Sequence, residues 1–172
     1  YVMFDLNRPL HAYDIDKIDG GKLIIGRAKP GQTMTALNEK TYDLDEDMLV
    51  IGDENGPDDL AGIMGGERSG VSDATDKMFL EIAIFDQIAV ATTGRKLNIH
   101  SDARFRFERG LDVTSPEWVS GYVARLVMGI CGGQASHVVI AGDGADWKRE
   151  IFLASDKVER LTGMIVPKER QI

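Results

Sequence analysis

Two segments of this chain combine residue types that could bind a ligand and act on it. Residues 60–67 read L-A-G-I-M-G-G-E, and residues 79–83 read F-L-E-I-A, with Glu81 inside a strand-like apolar run. Paired glycines at the end of an apolar strand let a ligand reach backbone N–H groups that a Cβ would shield. A carboxylate in such a strand needs a polar partner to be tolerated. The two segments predict a pocket with backbone donors on one wall and a single acceptor on another.

His11 is a third group that could do chemistry, because a neutral imidazole can donate or accept a hydrogen bond near neutral pH. Pro9 stiffens the chain in front of it. Residue types alone leave plainer interpretations open for each group. A lone histidine is more often structural, Glu81 could form a core-edge salt bridge with an arginine of residues 104–109, and the glycines could be simple turn residues.

Other catalytic patterns are weak in this sequence. His100, Ser101 and Asp102 are the three residue types of a nucleophilic triad, but side chains that are adjacent in sequence rarely converge in the required geometry. The histidines are scattered, Cys131 is the single cysteine, and there is no CxxC or HxxxH spacing, so we expect no metal site. Nucleotide-binding fingerprints of the P-loop or dinucleotide type are absent.

Composition is that of an ordinary soluble globular protein, with 172 residues of which 43% are hydrophobic and 28% charged. No apolar run approaches the roughly 18–20 residues that cross a bilayer. The chain shows no signal peptide, and it opens without Met inside an apolar run, which suggests a piece of a longer polypeptide. A single cysteine fits a reducing compartment, so we expect a cytoplasmic protein with Cys131 buried on a helical apolar stripe.

The net charge of −8 argues against a general nucleic-acid binder. Residues 38–60 hold nine acids against Lys40, a local balance of −8, so the rest of the chain is neutral overall. We expect this acidic arm to repel RNA. Any nucleic acid would be held mainly by other parts of a larger assembly.

Periodicity and turn signals predict an α+β fold, because strands and helices are mixed without βαβ regularity. We expect a hairpin around the turn Glu54–Pro57 and a helix that Asp86 caps and that ends near Leu97. The longest helix should begin at Thr114 or Ser115 and end at Gly132-Gly133, with an apolar stripe packed on a sheet. A further short helix should begin at Ser155, and another at Pro167. The predicted strands are residues 22–28, 48–52, 58–64, 77–84, 103–109, 135–141 and 149–153.

Four segments together resemble a known family. They are N-R-P-L-H-A-Y-D-I-D-K (7–17), L-A-G-I-M-G-G-E (60–67), F-L-E-I-A (79–83) and R-F-E-R-G-L-D (106–112). In this order they resemble the B3/B4 region of the β subunit of bacterial phenylalanyl-tRNA synthetase, from Tyr1 to about Gly133. The resemblance implies a barrel-like β core flanked by helices. It also implies a B3/B4 editing domain at 1–141, then a linker and the truncated start of a B5 domain at 142–172.

The resemblance implies a function as well, the hydrolysis of mischarged tyrosyl-tRNA(Phe). His11 would line the editing pocket and Glu81 would sense the tyrosine phenol, while N–H groups of Gly62, Gly65 and Gly66 would hold the aminoacyl carbonyl. Ser101, where the family usually has threonine, and Ala103 would belong to the pocket wall, so a bulky residue at Ala103 should fill the space for the ring. Arg104, Arg106 and Arg109 form a basic cluster interleaved with aromatic residues, whose default interpretation is a solvated strand face. The alternative is that these arginines contact the backbone of the tRNA 3′ end.

In the family the partners are the α subunit, within an α2β2 enzyme, and tRNA(Phe). ATP and Mg²⁺ serve aminoacylation in the α subunit, so no cofactor is expected in this segment, and no membrane partner. Two alternatives stay open. The chain could be a non-catalytic tRNA-binding or scaffolding module of the synthetase, or a free-standing trans-editing protein.

Overall fold

The computed structural model of the protein describes residues 1–142 and 147–171. The chain divides into two units, Tyr1–Gly142 and Asp143–Ile172. The predicted linker at 142–146 lies outside the described residues, apart from Gly142. The predicted identity of residues 142–172 as the start of a B5 domain stays a prediction.

The described part of the first unit contains short strands in three antiparallel sheets. One sheet pairs β1 with β7, one has the order β2-β5-β6, and one pairs β3 with β4. None of the three closes on itself, so the expected barrel-like core is wrong, while the mixed helix and strand content agrees with the α+β class. The strands are β1 (His11–Asp14), β2 (Ile24–Arg27), β3 (Thr33–Thr35), β4 (Thr41–Asp43), β5 (Leu49–Asp53), β6 (Gly56–Leu60) and β7 (Met78–Glu81).

The α-helices of the described residues are α1 (Val2–Leu6), α2 (Gln87–Lys96), α3 (Asp102–Phe107), α4 (Ser115–Cys131) and α5 (Lys157–Thr162). Short 3₁₀ turns lie at Ile15–Lys17, Asp19–Gly21 and Lys168–Arg170. The predictions for α2 and α4 are confirmed. Asp86 caps α2 by accepting the N–H of Ala89 at 2.7 Å, and α4 has a proline in its first turn.

The predicted hairpin between residues 48 and 64 is confirmed in a shorter form. β5 and β6 pair with Asp53 opposite Gly56, so Glu54 and Asn55 form the turn. A register shift lies between Ile51 and Gly52. Because β6 already ends at Leu60, residues 61–66 form a turn segment and not the end of a strand.

Three sequence predictions of strands are wrong. Residues 103–109 lie mostly in α3, and residues 135–141 and 149–153 form no strand. The helix α3 begins because the hydroxyl of Ser101 accepts the N–H of Arg104 at 3.0 Å, and a pair between Arg104 and Glu108 supports its last turn. In six residues, alternation of phenylalanine and arginine fits a helix as well as a strand.

The stripe on α4 is buried only in part. Val119 and Val123 are buried, whereas Trp118 and Ile130 are exposed. Cys131 is also exposed, so the prediction of a buried cysteine is wrong.

The acidic segment 38–60 does not face solvent throughout. Asp53, Asp58 and Asp59 are buried. Arg68 lies 2.8 Å from Asp53 and 3.6 Å from Asp58, and Asp58 also accepts the hydroxyl of Ser69. The expectation that the acidic segment repels RNA is therefore wrong for these three carboxylates, because they are buried and contact other residues of the domain.

The described residues of the second unit, 147–171, include none that is buried. α5 begins after Asp156 and not directly at Ser155, and Pro167 precedes the last 3₁₀ turn as expected. Across the described ranges, no helix combines the length and apolarity that crossing a membrane requires.

Candidate functional site

The pairing of β1 with β7 brings the two principal candidates together. His11 lies directly opposite Glu81 in the antiparallel register, and Tyr13 lies two residues further along β1. Cross-strand partners share a face of the sheet, and so do residues two apart on one strand. The three side chains therefore project to one side. The imidazole and the phenol ring contact each other edge to face, with ring centroids 4.6 Å apart.

Asp59, near the end of β6, completes this group. The Tyr13 hydroxyl donates to Oδ2 of Asp59 and lies 3.3 Å from Oε2 of Glu81. Nε2 of His11 lies 3.7 Å from the same Oδ2. We call His11, Tyr13, Asp59 and Glu81 the acid–imidazole cluster. Among the described residues, Glu81 has no ion pair with an arginine, so the salt-bridge interpretation from the sequence is wrong.

Burial controls the electrostatics of this cluster. It raises the pKa of Glu81 to about 7, with repulsion by Asp59 as a second cause and the hydrogen bond from Tyr13 as an opposing one. Burial also raises the pKa of Asp59, against the attraction of His11 and the bonds from Tyr13 and Gly66. The pKa of Tyr13 is raised by burial and by both carboxylates, so its phenol stays neutral. Near neutral pH a proton on Glu81 is thus easily gained or lost.

The glycine segment lies against this cluster. Gly65 packs so closely on the His11 imidazole that a Cβ there would overlap the ring. The N–H of Gly66 donates to Oδ1 of Asp59 at 2.5 Å, so it is not available to a ligand carbonyl. Within the described chain, the N–H groups of Gly62 and Gly65 donate to no acceptor. Of the three predicted oxyanion donors, Gly62 and Gly65 stay candidates and Gly66 holds Asp59 in place.

A pocket with about 400 Å³ of empty space opens beside the cluster. Its lining combines two carboxylates and the imidazole with aromatic and aliphatic side chains. Phe85 and Phe107, whose ring centroids are 5.0 Å apart, form the apolar wall together with Ala103. The lining residues are Pro9, Leu10, His11, Ile51, Asp59, Leu60, Ala61, Gly62, Ile63, Met64, Gly65, Glu81, Phe85, Ala103 and Phe107. Its lining suits a flat aromatic ring with a polar substituent.

Ser101 does not line this pocket. Its hydroxyl donates to the carbonyl of Ile63 at 2.6 Å and accepts the N–H of Arg104. It therefore links the start of α3 to the glycine segment, in which Ile63 lines the pocket. The adjacent His100, Ser101 and Asp102 form no hydrogen bond with one another in the described structure.

The three arginines of the predicted tRNA contact differ in exposure. Arg104 is buried, and its guanidinium donates to the Ile99 carbonyl at 2.6 Å and to Glu108 at 3.0 Å. It does not present its charge to solvent. Arg109 stacks over the exposed ring of Phe105, 3.6 Å from its centroid, and Arg106 lies 5.3 Å from the ring centroid of Phe4. Arg109 keeps an outward-facing charge with an aromatic surface beside it, whereas the side chain of Arg106 is 13% exposed and is held by Asn7 and Asp102.

Sequence reasoning missed Tyr13, Asp59 and Arg8. Arg8 is 2% exposed and donates to the carbonyls of Ala83 and Asp112 and to the Ser115 hydroxyl, so it fixes the backbone three residues before His11. A sequence signal for Asp59 exists, because the acidic pair 58–59 directly precedes the apolar glycine segment. The charge of residues 38–60 instead suggests that Asp59 belongs to a solvated acidic segment. In the described residues no group of three or more His, Cys, Asp or Glu side chains could hold a metal ion.

Comparison with known proteins identifies the family of the chain. Residues 1–132 match the B3/4 domain family, and the chain belongs to that family. The chain is also 48% identical over 170 residues to the phenylalanine–tRNA ligase β subunit of Paramagnetospirillum magneticum, and 43% identical over 171 residues to that of Ruegeria pomeroyi. A third such β subunit, from Rhodospirillum rubrum, is 43% identical over 172 residues.

The matches cover 99–100% of this chain but 21–22% of each relative, so the chain spans about a fifth of the length of these curated relatives. The resemblance to the β subunit of phenylalanyl-tRNA synthetase that four sequence segments indicated is thereby confirmed.

Proposed function

We propose that this chain is the editing domain of a phenylalanine–tRNA ligase β subunit and hydrolyses the ester of mischarged tyrosyl-tRNA(Phe). The partly buried Glu81 carboxylate, opposite His11 in a pocket that phenylalanines also line, is the observation that supports the proposal most directly. A pocket of this kind accepts an aromatic ring and has an acceptor for a para-hydroxyl. The similar β subunits supply the biological context.

Glu81 is the proposed determinant of specificity. Phenylalanine and tyrosine differ by one hydroxyl, and an apolar pocket alone separates such a pair poorly. A buried carboxylate is left without a partner when phenylalanine binds and gains a charge-assisted hydrogen bond when tyrosine binds. Discrimination of roughly 10⁴-fold is reached in favourable cases by this mechanism.

The hydrolysis itself needs no covalent intermediate. His11, or the ribose hydroxyl of the terminal adenosine, orients an attacking water. The N–H groups of Gly62 and Gly65 polarise the ester carbonyl, and positioning supplies much of the rate. Arg109, whose side chain is exposed, contacts the backbone of the tRNA 3′ end.

The partners in this proposal are tRNA(Phe) and the α subunit of the synthetase. ATP and Mg²⁺ serve aminoacylation in the α subunit, and the residues of this chain take no part in that step. The location would be the cytoplasm, where the substrate is made.

The test uses the whole αβ enzyme containing this chain, with Glu81→Ala and His11→Ala as variants. We expect both variants to deacylate tyrosyl-tRNA(Phe) at least about tenfold more slowly, since one removes recognition and the other a group that contributes to proton transfer. Phenylalanylation of tRNA(Phe) is the control and should be unchanged.

Calorimetry with free tyrosine and phenylalanine adds a binding measurement, in which Glu81→Ala should lose the preference for tyrosine. If neither variant slows deacylation, the editing proposal is wrong and a scaffolding module takes its place.

A further inference from the structure

Asp59 lies where three groups of the proposed site meet. Its Oδ1 accepts the N–H of Gly66, and its Oδ2 accepts the hydroxyl of Tyr13 and faces Nε2 of His11 at 3.7 Å. Its side chain is 4% exposed. Among the described residues it forms no ion pair with lysine or arginine, so the imidazole of His11 is the basic group that faces it. The titratable groups around it are His11 and Tyr13 on β1, Glu81 on β7, and Asp58 beside it on β6.

The two nitrogens of His11 have different surroundings. Nε2 has no contact with solvent and no hydrogen-bond partner among the described atoms, although the side chain as a whole is 24% exposed. Water or a ligand can therefore reach an imidazole nitrogen only at Nδ1. A neutral imidazole holds its hydrogen on one nitrogen, and the neighbour of that nitrogen selects which one. The Asp59 carboxylate faces Nε2 at 3.7 Å.

We propose that Asp59 is a positioning residue of this site. It keeps the His11 hydrogen on Nε2, so that Nδ1 presents its lone pair to the pocket, and it takes the hydroxyl hydrogen of Tyr13, so that Glu81 is free to accept from a ligand phenol. The inference rests on the proposed editing function and deepens it. In this proposal the buried Asp59 carboxylate orients His11, the catalytic group, and also keeps Glu81 free to recognise the substrate.

With its hydrogen on Nε2, His11 can act first as a general base and then as a general acid at Nδ1. A water in the pocket gives a proton to Nδ1 as its oxygen forms a bond to the ester carbonyl carbon. The positive imidazole that results faces Asp59, which stabilises it. When the bond between that carbon and the ribose oxygen breaks, the proton on Nδ1 moves to the leaving oxygen. The products are tyrosine and a tRNA with a free terminal hydroxyl.

The second half follows from the single hydrogen of a phenol. Tyr13 is fully buried between two carboxylates, and its one hydroxyl hydrogen can satisfy only one of them well. Asp59 accepts the shorter bond, whereas Glu81 is 3.3 Å away. Glu81 therefore keeps acceptor capacity on the pocket side, where the ring of a tyrosyl ester would place its own hydroxyl.

Asp58 gives a matched control for a test of Asp59. It is the preceding residue on the same strand and is equally buried, but it binds Ser69 and Arg68 and does not line the pocket. Asp58→Asn and Asp59→Asn make the same chemical change one residue apart. A loss that both share reports damage to β6, whereas a loss confined to Asp59 reports the site.

The experiment measures single-turnover deacylation of tyrosyl-tRNA(Phe) and phenylalanyl-tRNA(Phe) by the whole synthetase over a range of enzyme concentrations. For Asp59→Asn we expect a maximal rate reduced about 10- to 100-fold, part of the 10²–10⁴ that general base catalysis supplies, with an unchanged half-saturating concentration. The ratio of tyrosyl to phenylalanyl hydrolysis should also fall. Asp58→Asn should stay within about twofold of the wild type.

Tyr13→Phe tests the second half and serves if Asp59→Asn fails to fold. It removes the hydroxyl that would turn to Glu81 in the absence of Asp59, so we expect the ratio of tyrosyl to phenylalanyl hydrolysis to stay at or above that of the wild type.

Three results would overturn the proposal. They are a wild-type rate and ratio in Asp59→Asn, an equal loss in both aspartate variants, and a lower ratio of tyrosyl to phenylalanyl hydrolysis in Tyr13→Phe. If Asp59→Asn has a wild-type rate and ratio while His11→Ala and Glu81→Ala are slow, the role of Asp59 is wrong and the editing function still holds. Failure of the wild-type enzyme to deacylate tyrosyl-tRNA(Phe) would instead end the proposed function.

Discussion

Tyr13 places its phenol oxygen 3.3 Å from Oε2 of Glu81, inside the domain and next to the pocket. The protein thus contains, in its own core, the type of contact that Glu81 is proposed to make with a tyrosyl ligand. The internal phenol donates to Asp59, which leaves the pocket side of Glu81 open. Four predictions follow from these contacts and from the backbone around them.

Recognition of tyrosine should strengthen as the pH rises through about 7, because the pKa of Glu81 is raised to about 7 and only the ionised form makes a charge-assisted bond. The ratio of tyrosyl-tRNA(Phe) to phenylalanyl-tRNA(Phe) hydrolysis should increase by up to about tenfold from pH 6 to pH 8. Taking the ratio cancels any effect of pH that is common to both esters. In Glu81→Gln the ratio should not change with pH.

Glu81 should make the folded protein less stable as the pH rises. Its pKa in the folded state, about 7, lies above its ordinary value of 4.5, so between these values the folded state binds more protons than the unfolded state. The free energy of unfolding should fall across this window by at most about 3 kcal/mol. Urea unfolding at pH 5 and pH 8 should give a smaller decrease for Glu81→Gln. A larger decrease in the variant would contradict the assigned environment.

Gly65→Ala should remove editing, because a Cβ at this position overlaps the imidazole of His11 and must displace it. We expect deacylation of tyrosyl-tRNA(Phe) to slow by at least about tenfold, since small displacements of a catalytic group are costly. Gly129→Ala is the control. A Cβ there meets nothing, and alanine in this part of α4 should stabilise the protein by up to about 1 kcal/mol. Equal deacylation rates in the two variants would argue against the placement of His11.

Arg8→Leu should destabilise the domain by about 3–5 kcal/mol, because it leaves several buried acceptors without a donor. These acceptors are the carbonyls of Ala83 and Asp112 and the hydroxyl of Ser115. Urea unfolding measures the effect. Arg27→Leu gives an exposed comparison with one backbone contact, and it should cost less than about 1 kcal/mol. A loss of similar size in both variants would mean that the buried contacts of Arg8 do not stabilise the domain more than an exposed contact does.

Local signals in the sequence predicted several elements well. The N-cap residue Asp86 predicted α2. Pro116 in the first turn and Gly132 after the last residue predicted the two ends of α4. The turn at Glu54-Asn55 predicted the hairpin of β5 and β6. Caps and tight turns depend on hydrogen bonds between residues a few positions apart, so a short window contains their cause. The α3 prediction failed because a run of six residues with two phenylalanines fits both periodicities, and the Ser101 cap decided for a helix.

For the candidate site, the sequence alone supplied the residues that stand in recognisable segments, His11, Glu81, Gly65 and Ala103, and the apolar context of each. Only the tertiary structure decided that β1 and β7 pair in the register that sets His11 against Glu81, and that β6 brings Asp59 to both of them. It also turned three acids of an apparent solvated arm inward and left the sheets open. Contacts between strands tens of residues apart depend on which apolar faces pack together, and neither a local pattern nor a charge count contains that information.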